Sequence, residues 1–282
     1  MQTRISTRRT GRQEYVVMNE ALPNDEMRAG SADRMRGKVC LVTGGGSGIG
    51  RATALKMAEE GAVAVLIAGR RQAEIESAAA ACEKLGTRAF ALRTDVTRED
   101  EVERLVATAI DRYGRLDAAF NNAGFQEKRA PLETQDGAVY DAVFDTNVRG
   151  VFLCLRHQLS AMFRQAAGRI VVNASVSGVR NPNPGFSLYS ASKAAVISLV
   201  RSAAMEAAPR GVSINAIAPG RVVTDMMLRA GVGDIASVAA GLPLRRMGQA
   251  EEVAEAVVWL LSDASSYVVG HVLAADGGFL AS

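Results

Sequence analysis

The chain has 282 residues, a formal net charge of +3, 48% hydrophobic and 22% charged residues, the balance of a globular protein with a sizeable core. Its cations are spread along the chain, which argues against a nucleic-acid surface or a polybasic membrane patch. Cys40, Cys82 and Cys154 lie far apart among apolar neighbours, with no CxxC pair, and read as reduced core thiols rather than disulfide or metal ligands.

Residues 1–34 are polar, lack apolar periodicity and carry six arginines against five acids. The acid-free start MQTRISTRRTGRQ has the flavour of a transit peptide, but acids follow it. The expectation is a flexible or partner-packed extension, or a start codon placed upstream of a native start at Met35. With no signal-peptide core before the fold and no run of about 18 apolar residues, a cytoplasmic protein is expected.

From Gly37 onward, short aliphatic runs alternate with amphipathic stretches. The expected strands are 39–43, 63–68, 88–92, 116–121, 168–173, 213–218 and 272–275. The expected helices are 48–60, 72–85, 98–113, 140–165, 189–208 and 250–261, where apolar residues recur at helical spacing. Such alternation implies parallel strands joined by right-handed crossovers. The predicted fold is a single α/β domain over 35–282, a Rossmann-type doubly wound sheet of seven strands with helices on both faces. Sites in such sheets lie beyond the carboxyl ends of the strands.

The first strand runs into CLVTGGGSGIGRATALKMAEEGA, where Gly44, Gly48 and Gly50, with Ser47 and Ile49 between them, precede a helix. Glycines let backbone approach a pyrophosphate, and the helix start offers free N–H groups and a positive dipole end. A literal GxGxxG is not present; the spacing is T-G-x-x-x-G-x-G, and on it the chain resembles the classical short-chain dehydrogenase/reductase family. The resemblance spans 36–282, with further motifs in order: TDV (Thr94–Val96), NNAG (Asn121–Gly124), DTNVRGVF, NASVSG, YSASK and APGRVVTDM. It implies adenine contacts at Asp95 and Val96, and a cofactor laid across Asn122, Ala123 and Gly124. It also implies cofactor contacts at Pro219, Gly220, Val222 and Thr224, and cofactor contacts by Tyr189 and Lys193 themselves.

Tyr189 and Lys193, four apart on a helix, share one face. A phenol with a reference pKa of ~10 needs a fall of ~3 units, or ~4 kcal/mol, to work as a base near pH 7. One ammonium ~4 Å away at an effective dielectric of ~20 supplies about that much. The expectation is therefore a tyrosine lowered by Lys193, helped by the positive charge on an oxidised nicotinamide. Ser175 follows the apolar run RIVVNA and is placed to hold a substrate carbonyl oxygen by hydrogen bonding, with Ser177 as local competitor. Asn147 sits in a helical stretch where Asn has poor propensity; the resemblance implies that it kinks the helix and anchors a water linking the lysine to solvent. The implied catalytic set is Asn147, Ser175, Tyr189 and Lys193. His157 and His271 form no ligand pair, no metal is expected, and Ser175 lacks a G-x-S-x-G elbow.

Cofactor choice turns on the second strand, which ends VLIAGRR. An acidic residue there takes the ribose of NAD, whereas an arginine accommodates the 2′-phosphate of NADP. Gly69 stands where the acid is expected, followed by Arg70 and Arg71, while Ser47 occupies a loop position where NADP-preferring relatives carry a second basic residue. NADP is the expected cofactor, with NAD open.

The segment over about 221–248 is apolar, methionine-containing and broken by glycines, as suits a substrate lid, although ordinary packing has the same composition. Arg221, Arg229, Arg245 and Arg246 either meet an anionic substrate or are simply solvated. The loop 179–188 between Ser175 and Tyr189 is expected to form part of the substrate wall. The resemblance implies a homotetramer, or a homodimer, acting on a small or medium carbonyl or secondary alcohol. Rival readings are an NAD-preferring alcohol or sugar dehydrogenase of the same family, a silent dinucleotide-binding scaffold, and, weakest, nucleic-acid binding through residues 1–34.

Overall fold

The computed structural model describes residues 6–10, 13–17, 33–180, 184–229 and 234–282. The chain divides into two compact units, Met1–Ser31 and Ala32–Ser282. In the first, β1 (Ser6–Thr10) and β2 (Gln13–Val17) pair antiparallel, with Thr10 opposite Gln13, where no element was expected. The rest of the expected 1–34 extension up to residue 32 lies outside the described residues.

Among the described residues of the second unit, seven strands form one parallel sheet in the order β5-β4-β3-β6-β7-β8-β9. They are β3 (Val39–Thr43), β4 (Ala64–Gly69), β5 (Arg88–Arg93), β6 (Ala118–Asn121), β7 (Gly168–Asn173), β8 (Val212–Pro219) and β9 (Val272–Ala275). The strand sequences are continuous apolar runs because helices cover both faces. Within β3, Val39 and Leu41 enter one core while Cys40 and Val42 enter the other, the period of two that a strand imposes.

The first core is closed by α3 (Glu99–Tyr113), α5 (Gly150–Gln165) and α6 (Ser187–Ala207) through residues such as Leu105, Leu155 and Val200. The second is closed by α1 (Gly48–Glu59), α2 (Gln72–Glu83) and α9 (Ala250–Leu261) through Met57, Ile75 and Val257. Cys40, Cys82 and Cys154 are all buried free thiols. Burial pushes Cys82 up to about 11 and Cys154 up to about 12, so both are inert sulfhydryls. No helix among the described residues is long and apolar enough to cross a membrane.

Two departures from the sequence expectation bear on the site. The single helix expected over 140–165 is α4 (Gly137–Phe144), a wide π turn over Asp145–Arg149, and α5. Apolar spacing continues through the turn, so periodicity alone conceals it. The turn also brings Gly150 so close to the loop after β5 that a Cβ there would stand 2.8 Å from Val96 Cγ2. In the expected lid, α7 (Asp225–Arg229) and α8 (Ile235–Ala240) flank residues 230–233, which lie outside the described residues, as does the Arg229 side chain. Met227, Leu242 and Met247 pack together with Val223, Val238 and Phe279, so part of the lid composition is a small core of its own.

Candidate active site

The carboxyl ends of β3, β6 and β7 are tied together by side chains before any ligand is considered. The Thr43 hydroxyl accepts the N–H groups of Asn122 and Ala123, both at 3.1 Å. Asn122 Nδ2 donates to the carbonyls of Thr43 and Gly44, and its Oδ1 accepts from Asn173 Nδ2 at 2.8 Å. NNAG is thus a staple between strands as well as a floor for whatever lies across them.

Gly44 has φ +63° and Gly48 φ +52°, a left-handed backbone that favours glycine. A Cβ on Gly50 would stand 2.2 Å from the Gly44 carbonyl oxygen, so this third glycine brings helix and loop into contact. The Ser47 side chain makes no capping bond at the start of α1, leaving the first helical N–H groups free of it. Loop and helix start face a cleft of about 530 Å³.

Of the residues expected to hold a cofactor, Gly44, Ser47, Gly48, Ile49, Arg70, Arg71, Asp95, Val96, Asn122, Ala123, Gly124 and Thr224 line this cleft. Gly50, Pro219, Gly220 and Val222 do not line it and instead shape the backbone behind it, and Tyr189 and Lys193, also expected to touch the cofactor, stand behind its wall rather than in its lining. Pro219 ends β8 opposite Ala275, a Cβ on Gly220 would meet Asp276 Cα at 2.7 Å, and Val222 bridges to Gly248. Sequence reading missed Glu74, Thr94, Phe125, Gln126, Lys128, Thr146, Asn173, Asp225 and Met226, which also line the cleft.

At the far end, Gly69 closes β4 and a Cβ there would stand 2.9 Å from Ile75 Cγ2. Arg71 is the residue before the first turn of α2, an unfavourable place for a cation. Its guanidinium is answered from within the chain, by Glu74 Oε2 at 2.7 Å and Ser47 Oγ at 3.0 Å. Asp95 Oδ1 accepts from the Thr97 N–H and hydroxyl, which holds its carboxylate still at the strand end.

At the near end, Ser175 is 7% exposed, and its Oγ accepts the Ser177 N–H at 3.1 Å, so the neighbouring serine fixes Ser175 and leaves its hydroxyl proton to donate elsewhere. Glycine follows at 178 because a Cβ there would stand 2.6 Å from the Lys193 carbonyl carbon. Tyr189 lies in the first turn of α6 and Lys193 one turn later, with Nζ 5.6 Å from the tyrosine ring centre. The lysine is 3% exposed, donates to the Asn173 carbonyl at 2.6 Å, and burial lowers its pKa to about 8.

Lys193 by itself does not lower Tyr189 in this structure. Burial pushes the Tyr189 phenol up; the Ser175 hydroxyl pulls it down, the Glu127 charge raises it again and Arg221 lowers it. Lys193 spends its ammonium on a backbone carbonyl, so Tyr189 is a phenol that keeps its proton over the neutral range.

Asn147 is fully buried in the π turn, its Oδ1 accepting the Phe125 N–H at 2.7 Å and its Nδ2 donating to the Phe125 carbonyl at 2.8 Å and to Ser192 Oγ at 2.9 Å. A Cβ on Gly124 would stand 3.4 Å from Asn147 Oδ1 and 3.7 Å from Lys193 Nζ, ordinary contact distances, so the NNAG turn lies directly against both side chains. His157 faces Glu99 at 3.3 Å, away from these groups, and no cluster of metal-ligand type exists among the described residues.

A parallel sheet with a glycine cleft, and a Ser, Tyr and Lys grouped behind one wall of it, is an arrangement suited to a dinucleotide-dependent oxidoreductase. A family model described as enoyl-(acyl carrier protein) reductase matches residues 44–280. The chain is 42% identical to cis-4-hydroxycyclohexanecarboxylate dehydrogenase of Sinomonas cyclohexanicum, over 86% of this chain and 97% of that protein. It is 39% identical to a 3-oxoacyl-[acyl-carrier-protein] reductase of Thermotoga maritima, over 88% and 99%. Among solved structures, levodione reductase superposes with a TM-score of 0.85 at 38% identity, over 88% of this chain and 100% of that one. NAD+-bound xylitol dehydrogenase gives 0.82 at 35%, over 87% and 100%. The chain belongs to the classical short-chain dehydrogenase/reductase family, and it is an oxidoreductase of the CH–OH type.

Proposed function

We propose that the protein interconverts a small or medium carbonyl compound and its secondary alcohol with NADP(H). The observation that carries this reading is the grouping of Ser175, Tyr189 and Lys193 directly behind the Gly124 and Asn173 wall of a cleft whose far end carries Gly69 and Arg70 in place of an acid. The glycine cradle fits a dinucleotide: Gly44 and Gly48 have left-handed backbones, and the free start of α1 suits a pyrophosphate. Asn173 adds a buried Oδ1 with no hydrogen-bond partner among the described residues on the cleft wall, an acceptor suited to a ribose hydroxyl or an amide.

When bound there, the nicotinamide supplies or accepts the hydride. The protein's part is acid–base and positional. Ser175 donates a hydrogen bond to the substrate oxygen and fixes it beside Tyr189. In reduction Tyr189 gives its proton to that oxygen; in oxidation its phenolate takes the proton back. Lys193, held on the Asn173 carbonyl, fixes the wall one turn beyond Tyr189, and Asn147 braces the same wall through Phe125 and Ser192. Arg70 offers a planar fork to the 2′-phosphate. Exposed Phe152 on α5 and Met205 on α6 support assembly as a homotetramer or homodimer.

One observation favours NAD instead: Arg71 is already paired with Glu74, and that carboxylate lines the adenosine end, where it repels a phosphate. The xylitol dehydrogenase structure was solved with NAD+, which supports the same alternative. A panel of carbonyls and alcohols assayed in parallel with both nicotinamides tests the proposal. It should include cyclic hydroxy acids and 3-oxoacyl thioesters, the compounds named in the relatives. Faster turnover with NADPH supports it; turnover with NADH alone selects the NAD reading; and no oxidation or reduction of any member, with dinucleotide still bound, leaves a silent scaffold.

A further inference from the structure

Between Gly124 and Ala130 the chain forms a strap that no motif describes. Both main-chain groups of Phe125 bond to Asn147, at 2.7 and 2.8 Å. Arg129 Nε donates to the Pro184 carbonyl, and Ala130 N–H to the Gly185 carbonyl, both at 3.1 Å. In the middle of the strap Glu127 turns inward and is 1% exposed. Its Oε1 accepts the Tyr189 N–H at 3.0 Å, while its Oε2 is buried with no hydrogen-bond partner among the described residues.

Helix α6 makes no side-chain cap of its own at Phe186, so one of its first N–H groups is satisfied from another segment. A neutral amide would satisfy it equally and at lower desolvation cost. What the carboxylate adds is a negative charge at the base of the residue that carries the proton. We propose that Glu127 is a positioning residue for Tyr189, fixing the first turn of α6 through Oε1 and setting a buried, otherwise unpartnered carboxylate oxygen beside the turn that carries the phenol.

The groups facing that phenol come from every neighbouring element. Ser175 lies after β7, Lys193 on α6 itself, Arg221 after β8 with Arg129 opposite it, and Glu127 after β6. Glu127 and burial favour the phenol; Ser175 and Arg221 favour the phenolate. The proposal rests on Tyr189 being the acid/base, so its test includes a readout independent of turnover.

Glu127→Gln keeps an acceptor for the Tyr189 N–H and removes the charge. Tyr189 is titrated by ultraviolet difference between each protein and its Tyr189→Phe counterpart. In Glu127→Gln the Tyr189 titration should fall by about 1 pH unit. The rising limb of kcat/KM for alcohol oxidation should move to lower pH by the same amount. Glu127→Ala, which also loses the bond, should lower kcat several-fold further. Glu127→Met serves the same charge comparison if the glutamine variant does not fold. Superimposable Tyr189 titrations with and without the charge overturn the proposal. If Tyr189→Phe itself keeps its turnover, the acid/base reading fails; if turnover is lost but the titration does not move, only the role of Glu127 fails.

Discussion

At the reacting end of the cleft, Lys193 is 3% exposed and Asn147 is fully buried, each held by directional bonds to backbone. At the adenosine end, Arg70 and Arg71 are exposed, and Arg71 leans on a half-buried Glu74 through a pair that water screens on the arginine side. Removing a buried, bonded group leaves its partner unsatisfied, at about 1–3 kcal/mol for each group, whereas an exposed ion pair carries about 0–1 kcal/mol. The reacting end should therefore tolerate almost no change, and the adenosine end should be tunable in small steps.

The largest expected effect is at Tyr189. Tyr189→Phe should lower kcat by about 10²–10⁴-fold, the usual reach of a positioned proton donor, with dinucleotide affinity preserved in a fluorescence titration. In the wild type, alcohol oxidation should speed up with rising pH, because burial lifts the Tyr189 pKa and the base form appears only as pH climbs towards it.

Asn147→Ala comes next. It strips the Phe125 N–H and carbonyl of their partners and should cost roughly 2–4 kcal/mol of stability, read as a lower Tm, together with a fall in kcat. An unchanged Tm would mean the π turn holds without its asparagine. Smaller still is Arg70→Ala, which should raise KM for NADPH about tenfold and leave KM for NADH nearly unchanged. The smallest is Glu74→Gln, which frees Arg71 and removes a repelling charge, so that NADPH should bind roughly two- to five-fold tighter. Weaker NADPH binding in that variant would mean that Glu74 orients Arg71 for the phosphate.

The same contrast explains what could be read in advance. The seven parallel strands, the helices on both faces and the glycine loop follow from local runs and spacings, whereas the spatial order of the strands does not, and Gly44, Gly48 and Gly50 stand where close backbone approach requires them. Ser175, Tyr189 and Lys193 are legible because short spacings bring them to one strand end and one helix face. The π turn is hidden, since hydrophobic spacing runs through it unbroken. Glu127 is hidden for another reason: its partner is a backbone N–H sixty-two residues away, and no periodicity marks it. The upward shift of Tyr189 escaped because the sequence shows the lysine but neither its burial nor its bond to the Asn173 carbonyl. The partner of Arg71 was within reach, since Glu74 stands three residues on in the same helical turn.

The most direct test of this division of labour is the ratio of kcat/KM for NADPH to that for NADH, measured for the wild type, Tyr189→Phe and Arg70→Ala in one assay. Tyr189→Phe should lower both values by the same large factor and leave the ratio where it was; Arg70→Ala should collapse the ratio while kcat survives. A Tyr189→Phe enzyme that still turns over, or a ratio indifferent to Arg70, would contradict the account.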